Sequence, residues 1–386
     1  MKKLLHQGYM VVILLCAGIV FAVTSCRKEA ADQTPVVPVA NDEVLEAQVR
    51  SEGLTYQNQL PANAQSQAIS INEQLAQSAD ISKNARSSAT IYYIASHISL
   101  FSALTAALNV TGLNTAIDNG KATLTVFAPT DLAFALLPAP FNKASSISKI
   151  TDANQLAVLK ALLLYHVLGT EVGYKDITPG RSQAATLKPK GASNDNTVYF
   201  SKDLGLIGIN GKSLVLVPDV YAKNGVIHVI SSVLAFPVTN IAEAAISNPN
   251  LSTLVAALVK TNLAGVFTGN GDYTVFAPTN TAFAKMPAPY NSAANINAIT
   301  DANQVATLTN ILKYHVLGSR FFGSDLGFFD EHTTLAAAPS NHINTVAAFP
   351  VGYVKGIANK GYNYINPGNI LCTNGVVHVI PNVLMP

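Results

Sequence analysis

Cysteine is scarce in this chain, and charged residues are half as frequent as in an average domain. The 386 residues include three cysteines, no tryptophan and only 12% Asp, Glu, Lys and Arg. Cys16 and Cys26 lie in or beside an N-terminal apolar segment, so Cys372 stands alone in the rest of the chain. A disulfide framework is therefore excluded, and Cys372 is predicted to be a small buried apolar side chain.

The low and balanced charge argues against a nucleic-acid-binding protein. Residues 1–25 contain two of the 24 basic residues and none of the 22 acidic ones, so the remaining chain is electrically neutral. Without a basic stripe to neutralise phosphates, nucleic acid is not expected as a partner. Hydrophobic residues make up 49% of the chain, which allows large cores and argues against wholesale disorder.

Residues 1–25 have the pattern of an export signal. Lys2 and Lys3 precede a mostly apolar run over residues 10–23, and "VTSC" then places Cys26 after two small residues. The run is shorter than the ~18–20 residues that cross a bilayer. The segment resembles a bacterial lipoprotein signal, which is cleaved before the cysteine that becomes lipidated. An ordinary secretory signal with an incidental cysteine, or an uncleaved anchor, is the alternative.

Residues 26–85 differ in composition from the rest of the chain. Gln, Asn, Ala, Ser and Pro dominate stretches such as "QTPVVPVAND" and "QNQLPANAQSQ", and aromatic residues are nearly absent. This composition is typical of a flexible tether, here with short helical pieces such as residues 41–50. A coil of ~60 residues spans roughly 40–45 Å, enough to hold a globular part clear of a membrane.

From residue 90 the chain repeats itself at an offset of 149 to 150 positions. Three phrases recur: "TVFAPTDLAF" (125–134) as "TVFAPTNTAF" (274–283), "YHVLG" (165–169) at 314–318, and "NGVIHVI" (224–230) as "NGVVHVI" (374–380). Two copies of one domain explain this spacing, because a solenoid has shorter and more numerous units. We assign residues 86–238 to domain 1 and residues 239–386 to domain 2.

Each copy begins with helical patterns and ends with β-rich ones. Helical spacing in "TDANQLAVLKALLLYHVLG" contrasts with short apolar runs separated by turns in "LGLIGINGKSLVLV" and "KNGVIHVISSVL". "FAPTDLAF" reads as a strand end, a proline stop and a helix capped by Thr130 or Asp131. Helices grouped before strands indicate an α+β fold, with helices packed on a small sandwich or barrel.

The motifs "TVFAPTNxAF", "YHVL" and "NGVxHVIxxVL" occur in order in both copies, with Asp131 in place of Asn in the first. The chain thereby resembles the fasciclin-like domain family, and its leader, tether and tandem pair resemble fasciclin-domain lipoproteins of Gram-negative bacteria. The resemblance implies two β-sandwich wedges, each packed with several helices. It also implies a non-enzymatic, cofactor-free adhesion protein with an extracellular protein or polysaccharide as its partner. The protein would be anchored by lipid to the outer membrane, with its domains either at the cell surface or on the periplasmic side.

Four histidines recur with the repeat. His166 and His315 close a helix, while His228 and His378 lie in the last strand of each domain. Two histidines per domain fall short of the three protein ligands that a catalytic zinc site needs. We therefore predict no metal site and four buried histidines that bond to backbone groups.

Tyr165–His166 and Tyr314–His315 raise a second interpretation. In some animal members of the family, a Tyr-His segment with apolar flanks is linked to integrin binding. The apolar residues around both pairs in this chain have the pattern of a core, which favours burial of the pairs over display to a receptor.

A hydrolytic site in this chain would have to use Asp131, paired with His166. The second copy has Asn280 at that position, and Asn caps a helix about as well as Asp but does not shuttle a proton. The exchange is what helix capping predicts. No serine elbow, paired carboxylates or phosphate loop accompanies it, so we predict that the chain is not an enzyme.

Domain 2 has more aromatic residues than domain 1 between its Tyr-His and Asn-Gly motifs. Nine occur over residues 314–374, against five over residues 165–224. The loop-like "GYVKGIANKGYNYINPGN" contains Tyr353, Tyr362 and Tyr364, which would form a platform for a sugar or protein if exposed. The alternative function is thus a glycan-binding accessory lipoprotein, and the alternative place for these rings is the core or an interdomain contact.

Overall fold

The computed structural model describes residues 68–70, 72–73, 87–191, 195–203, 205–347 and 352–386. The predicted export signal, Cys26 and most of the predicted tether lie outside the described residues. The chain divides into two compact units, and the boundary between them lies between Phe236 and Pro237. We keep the names domain 1 and domain 2 for these units.

The helices of domain 1 precede most of its strands. They are α1 (Ile91–His97), α2 (Ser102–Val110), α3 (Asn114–Ile117), α4 (Asp131–Phe134), α5 (Ala144–Ile147) and α6 (Ala153–Tyr165), with a 3-10 helix at Ser99–Phe101. Side chains cap several of them. Asp152, for example, accepts a hydrogen bond from Gln155 N–H at the start of α6. Such caps satisfy backbone donors that a helix N-terminus leaves free.

The strands of domain 1 form one sheet. They are β1 (Leu124–Pro129), β2 (Val167–Leu168), β3 (Gly180–Ala185), β4 (Thr197–Asp203), β5 (Leu206–Ile209), β6 (Ser213–Ala222) and β7 (Gly225–Ile230). Their order is β2-β1-β7-β6-β5-β4-β3. β1 and β7 run parallel and the other neighbours antiparallel. Two register irregularities in β6 bend this strand between the two ends of the sheet.

Domain 2 repeats the arrangement with one break. Its helices are α7 (Ile241–Ile246), α8 (Ser252–Lys260), α9 (Asn280–Phe283), α10 (Ala293–Asn297) and α11 (Ala302–Tyr314), with 3-10 helices at Pro249–Leu251, Ala264–Phe267 and Gly323–Asp325. Its strands are β8 (Tyr273–Pro278), β9 (Val316–Leu317), β10 (Phe328–Thr333), β11 (His342–Val346), β12 (Tyr353–Gly356), β13 (Asn363–Tyr364), β14 (Ile370–Cys372) and β15 (Gly375–Ile380). They form two sheets, β10-β11-β12-β13 and β14-β15-β8-β9. β13 and β14 occupy the repeat positions of β6, so the strand that is continuous in domain 1 is divided here.

Each domain has two apolar cores on opposite faces of its central strands. Val126 of β1 lies in the cluster that contains Leu163 of α6, whereas its neighbour Phe127 lies in the cluster that contains Phe200 of β4. Successive residues of a strand point to opposite faces, which explains the division. In domain 1 the three layers are the helices, the central strands β1 and β7, and the outer strands β3–β5. In domain 2 the outer strands are β10–β13. The prediction of a tandem α+β fold with helices packed on β-sheets is confirmed.

Part of the segment predicted as a tether packs on domain 1. Residues 68–70 and 72–73 are helical. Ala68 is 8% exposed and belongs to the helix-side core of domain 1. Because burial against a core fixes a residue in place, this stretch does not act as a free spacer.

In the part of the chain that the structure describes, no single helix is long and apolar enough to cross a membrane. Taken together, α1 and the segment Ser99–Val110 are long and apolar enough to cross a membrane, but the two are bent by 106° relative to each other. Their large apolar side chains, such as Ile94 and Phe101, are buried within domain 1.

Candidate functional site

The phrase "TVFAPTD" joins β1 to α4, and its second threonine caps that helix. Thr130 Oγ1 accepts a hydrogen bond from Ala133 N–H (3.4 Å). Asp131, the other predicted cap, is the first residue of α4, and its carboxylate reaches the start of α2 instead. There Oδ1 accepts from Ala103 N–H (2.8 Å) and Oδ2 from the Ser102 hydroxyl (2.6 Å). Asp131 therefore caps a helix other than its own.

Asn280 occupies the same place in domain 2 with an amide. Its Oδ1 accepts from Thr253 N–H (2.8 Å) at the start of α8. Its Nδ2 donates to the Pro249 carbonyl (2.9 Å) and to Ser252 Oγ (3.0 Å). Asp and Asn both supply the acceptor that the neighbouring helix needs, which gives their exchange between the copies a structural reason.

His166 and His315 join a helix end to the last residues of each domain. His166 is 2% exposed, its Nδ1–H donates to the Leu162 carbonyl (2.8 Å), and its Nε2 accepts from Leu234 N–H (2.8 Å). His315 makes the equivalent two bonds at 2.7 and 2.8 Å. Burial lowers the pKa of both histidines to about 4, so they are neutral at physiological pH.

His228 and His378 tie the last strand of each domain to a distant loop. His228 Nε2–H donates to the Val172 carbonyl (2.8 Å), and Nδ1 accepts from Asp219 N–H (3.3 Å). His378 makes the same pair of bonds, the second with Asn369 N–H (3.2 Å). Burial lowers the pKa of both, to about 4 for His378. Asp219 and Asn369 form a second Asp/Asn exchange, at φ values of 58° and 55°, which these two residue types tolerate.

These contacts do not assemble a hydrolytic site. Asp131 bonds at the start of α2, whereas His166 bonds to Leu162 and Leu234, so the two side chains share no hydrogen-bond partner. Among the described residues, no group of three His, Cys, Asp or Glu side chains lies close enough to hold a metal ion. The motif residues have another property in common, because each joins backbone segments that are far apart in sequence.

Tyr165 and Tyr314 are fully buried, so neither Tyr-His segment presents its tyrosine to a receptor. The Tyr165 hydroxyl donates to the Thr197 carbonyl (2.6 Å) and accepts from Asn210 Nδ2 (3.0 Å). The Tyr314 hydroxyl donates to the His342 carbonyl of β11 (2.5 Å) and accepts from the backbone N–H of Ile357, the residue after β12 (2.9 Å). Both hydroxyls thus connect a helix end to the outer strands.

Sequence reasoning interpreted the Asn-Gly pairs as turns and missed the role of their asparagines. Asn224 Oδ1 accepts from Ile91 N–H (2.9 Å), and Nδ2 donates to the carbonyls of Ile117 (2.7 Å) and Asn119 (3.1 Å). Asn374 makes the same three bonds in domain 2 (2.9, 2.7 and 3.1 Å). The recurrence of a polar residue between two apolar strands was the available signal for this connection.

The three tyrosines considered as a platform lie on or beside strands rather than in an open loop. Tyr353 of β12 is paired with Tyr364 of β13, and their rings are 5.3 Å apart and tilted by 53°. Both are half-buried. Tyr362 is only 9% exposed, contrary to the expectation of an exposed ring, because it packs edge-on near Phe329 (6.3 Å). At most two of the three rings therefore reach the surface.

Cys372 occupies the position of Ala222 and is equally buried. Burial raises the pKa of its thiol to about 12, which keeps the sulfur protonated and unreactive. Arg320 lies beside it, where Nη1 donates to two carbonyls of the β14–β15 hairpin (3.0 and 2.6 Å) and Nε pairs with Asp272 (2.8 Å). The residue of domain 1 that corresponds to Arg320 is Glu171, so the contacts of Arg320 have no counterpart in domain 1.

Comparison with known proteins identifies both domains. The family profile described as "Fasciclin domain" matches residues 99–237 and 249–386. Transforming growth factor-beta-induced protein ig-h3 of Sus scrofa is 29% identical over 273 residues, which are 69% of this chain and 35% of that protein. The uncharacterized protein sll1735 of Synechocystis is 34% identical over 146 residues, 38% of this chain and 97% of that one.

A third relative is the cell surface glycolipoprotein MPB83 of Mycobacterium bovis. It is 37% identical over 152 residues, which are 38% of this chain and 60% of that protein. The matched region thus spans about a third of the pig protein and nearly all of the cyanobacterial one.

Proposed function

The chain belongs to the fasciclin domain family, and we propose that it is a non-enzymatic, lipid-anchored interaction protein of the cell envelope that mediates adhesion. The family match covers both domains. One observation carries the proposal. The polar residues at the repeated motif positions, such as His166, Asn224 and Asp131 with its counterpart Asn280, bond to backbone groups of the fold. Contact with a partner then falls to the outer surfaces of the domains.

The position in the envelope is supported by a relative and by a motif. The relative MPB83 bears the name of a cell surface glycolipoprotein. In this chain "VTSC" places Cys26 directly after an apolar run, as in lipoprotein signals. We propose that Cys26 carries the lipid and that both domains are held at the outer membrane.

Metabolic labelling with a fatty acid tests the anchor. The wild-type protein should take up the label, whereas Cys26→Ser should not, because it has no thiol to acylate. Label retained by Cys26→Ser would place the lipid elsewhere and contradict the proposal.

Protease treatment of intact cells tests access to an external partner, taken here as an extracellular protein or polysaccharide. The domains should be lost together with a known surface marker while a periplasmic marker survives. Cells expressing the protein should also adhere better to matrix-coated surfaces than cells expressing Cys26→Ser. Protection of the domains until the outer membrane is permeabilised would contradict the adhesion function.

Glycan binding by domain 2 is a second candidate, and it is supported by the pair Tyr353 and Tyr364. The two half-exposed rings are neighbours, and strand alternation places Lys355 on the same face as Tyr353. Aromatic rings beside a polar group suit an amphipathic ligand such as a sugar. Ala substitutions at both positions should abolish retardation in polysaccharide affinity gels, whereas Tyr362→Phe, at a buried ring, should not. Unchanged retardation of the double variant would exclude these rings.

A further inference from the structure

Domain 1 has an apolar protrusion at α4 that domain 2 lacks. Leu132 is 58% exposed and Leu136 is 79% exposed, the highest fraction among the large apolar side chains of the described residues. They are four residues apart across α4 and the turn that follows, so they project from the same side. At these repeat positions domain 2 has Thr281 and Lys285, both exposed.

The turn that carries the two leucines is firmly held. Thr130 caps α4, and Asp131 bonds to the start of α2 through Ser102 and Ala103. Phe134, on the inner side of the turn, is fully buried. Because the inner side is fixed, the leucines are directed away from the core, and we call these two side chains the apolar tip.

We propose that Leu132 and Leu136 insert into the lipid surface of the membrane to which the protein is anchored. This inference rests on the proposed lipidation of Cys26. Two leucine side chains expose far less area than the about 800 Å² that each partner buries in a standard protein interface, which argues against a stable dimer through this tip. Lipid accommodates two exposed leucine side chains without a matching pocket, which favours lipid as the occupant.

The connection between anchor and tip favours this contact. Because Ala68 already packs in the core of domain 1, only residues 27–67 separate Cys26 from the domain. A connection of this length tethers domain 1 to the membrane and raises the effective concentration of lipid around it. Weak insertion of two side chains then suffices when the anchor is in place.

The asymmetry of the two copies agrees with this geometry. The domain that directly follows the anchor in sequence has the leucines. In domain 2, Lys285 Nζ donates to the Pro381 carbonyl (3.1 Å) and to Asn382 Oδ1 (2.6 Å), so a polar residue at this position is also held in the fold. The fold therefore does not require leucine at these positions, and polar residues from domain 2 can replace them in domain 1.

A fluorophore at the tip of the full-length lipoprotein tests the insertion. Leu136→Cys supplies one reactive thiol, because lipid blocks Cys26, and Cys372 is buried with its pKa raised to about 12. After reconstitution into phosphatidylethanolamine–phosphatidylglycerol vesicles, the label should emit at shorter wavelength and be quenched by spin-labelled lipid. Lys285→Cys places the label on the same turn of domain 2 and should show neither effect.

Three outcomes would overturn the insertion, and they are distinguishable. If labels at Leu136→Cys and Lys285→Cys emit at the same wavelength on vesicles that carry the protein, the lipid anchor is supported but insertion of the tip is excluded. Failure of the protein to float with the vesicles would remove the anchor as well. A shift seen with a soluble matrix protein and not with vesicles would assign the tip to a protein partner.

A second variant separates the leucines from their surroundings. Adding Leu132→Thr, the residue of domain 2, to the labelled Leu136→Cys protein should reduce lipid quenching by about twofold or more, since it removes the one leucine of the tip that the labelled protein retains. Circular dichroism should remain that of the parent protein. Unchanged quenching with an intact fold would show that Leu132 does not contact lipid.

Discussion

Ser102 donates a hydrogen bond to Asp131 (2.6 Å), whereas Ser252 at the same place in domain 2 accepts one from Asn280 (3.0 Å). A serine hydroxyl both donates and accepts, so it adapts to either partner. The backbone N–H that follows the serine needs an acceptor, and Asp and Asn both supply one. The contact of Asp131 with the start of α2, and of Asn280 with the start of α8, therefore depends on a hydrogen-bond acceptor and not on a charge.

Asp131→Asn should accordingly change the stability of domain 1 by less than about 1 kcal/mol, because the amide oxygen still accepts from Ala103 N–H. Asp131→Ala should cost about 1–2 kcal/mol, since α2 loses its cap. Urea unfolding of the full chain measures both, and Asn280→Asp is the reciprocal control in domain 2. A loss for Asp131→Asn as large as that for Asp131→Ala would show that the charge itself matters.

The buried histidines should make the protein less stable in acid. The folded-state pKa of His166, His315 and His378 is lowered to about 4 by burial, below the about 6.5 of an unfolded chain. Between these two values the unfolded chain binds more protons than the folded one. The free energy of unfolding should therefore fall as the pH drops from about 6.5 towards 4, and should be insensitive to these groups above about pH 7.

Urea midpoints at pH 7.5, 6 and 5 test this dependence. Charging one such histidine in the folded state costs on the order of 3 kcal/mol, so the trend should be large. His166→Gln removes one titrating group and should flatten the profile of domain 1 while leaving that of domain 2 unchanged. Midpoints that stay constant from pH 7.5 to pH 5 would contradict the assignment of these histidines as neutral.

The tandem α+β fold could be predicted because it depends on local patterns and their order. Apolar periodicity gave the helices and strands, and the 149–150 residue offset gave two copies. The contacts of the polar residues depend instead on which distant segments meet. No local pattern shows that Asp131 caps α2, which begins 29 residues earlier, or that Tyr362 packs near Phe329. For the same reason the Asn-Gly pattern predicts a turn at Asn224 and does not reveal its bonds to Ile91 and Ile117.

Asn224→Ala should destabilise domain 1 by about 3 kcal/mol or more. The substitution leaves the Ile91 N–H and the buried Ile117 carbonyl without their partner, and each unsatisfied group costs about 1–3 kcal/mol. Denaturant unfolding gives the loss, and faster hydrogen exchange at the Ile91 amide locates it. Asn374→Ala should act equally on domain 2. A cost below about 1 kcal/mol would mean that Asn224 serves only its turn.

Gly225→Ala should prevent domain 1 from folding. A Cβ at this residue would lie 1.9 Å from the Leu124 carbonyl oxygen, and its φ of +143° disfavours any L side chain. Gly112 is the matched control, since it has a φ of +70° but no atom within 4 Å of an added Cβ. Gly112→Ala should cost only about 1–2 kcal/mol of backbone strain. Folded protein from Gly225→Ala, detected by circular dichroism, would show that β1 and β7 can separate without loss of the domain.

Tyr165→Phe separates the structural interpretation of the Tyr-His segment from the adhesive one. It keeps the buried ring and removes the hydroxyl that bonds to Thr197 and Asn210, which should lower stability by about 1–2 kcal/mol. Because Tyr165 is 0% exposed, adhesion measured well below the unfolding temperature should equal that of the wild type. Tyr314→Phe should behave alike in domain 2. Adhesion lost by Tyr165→Phe while its circular dichroism and hydrogen exchange stay native would require that this segment leaves the core to meet its partner.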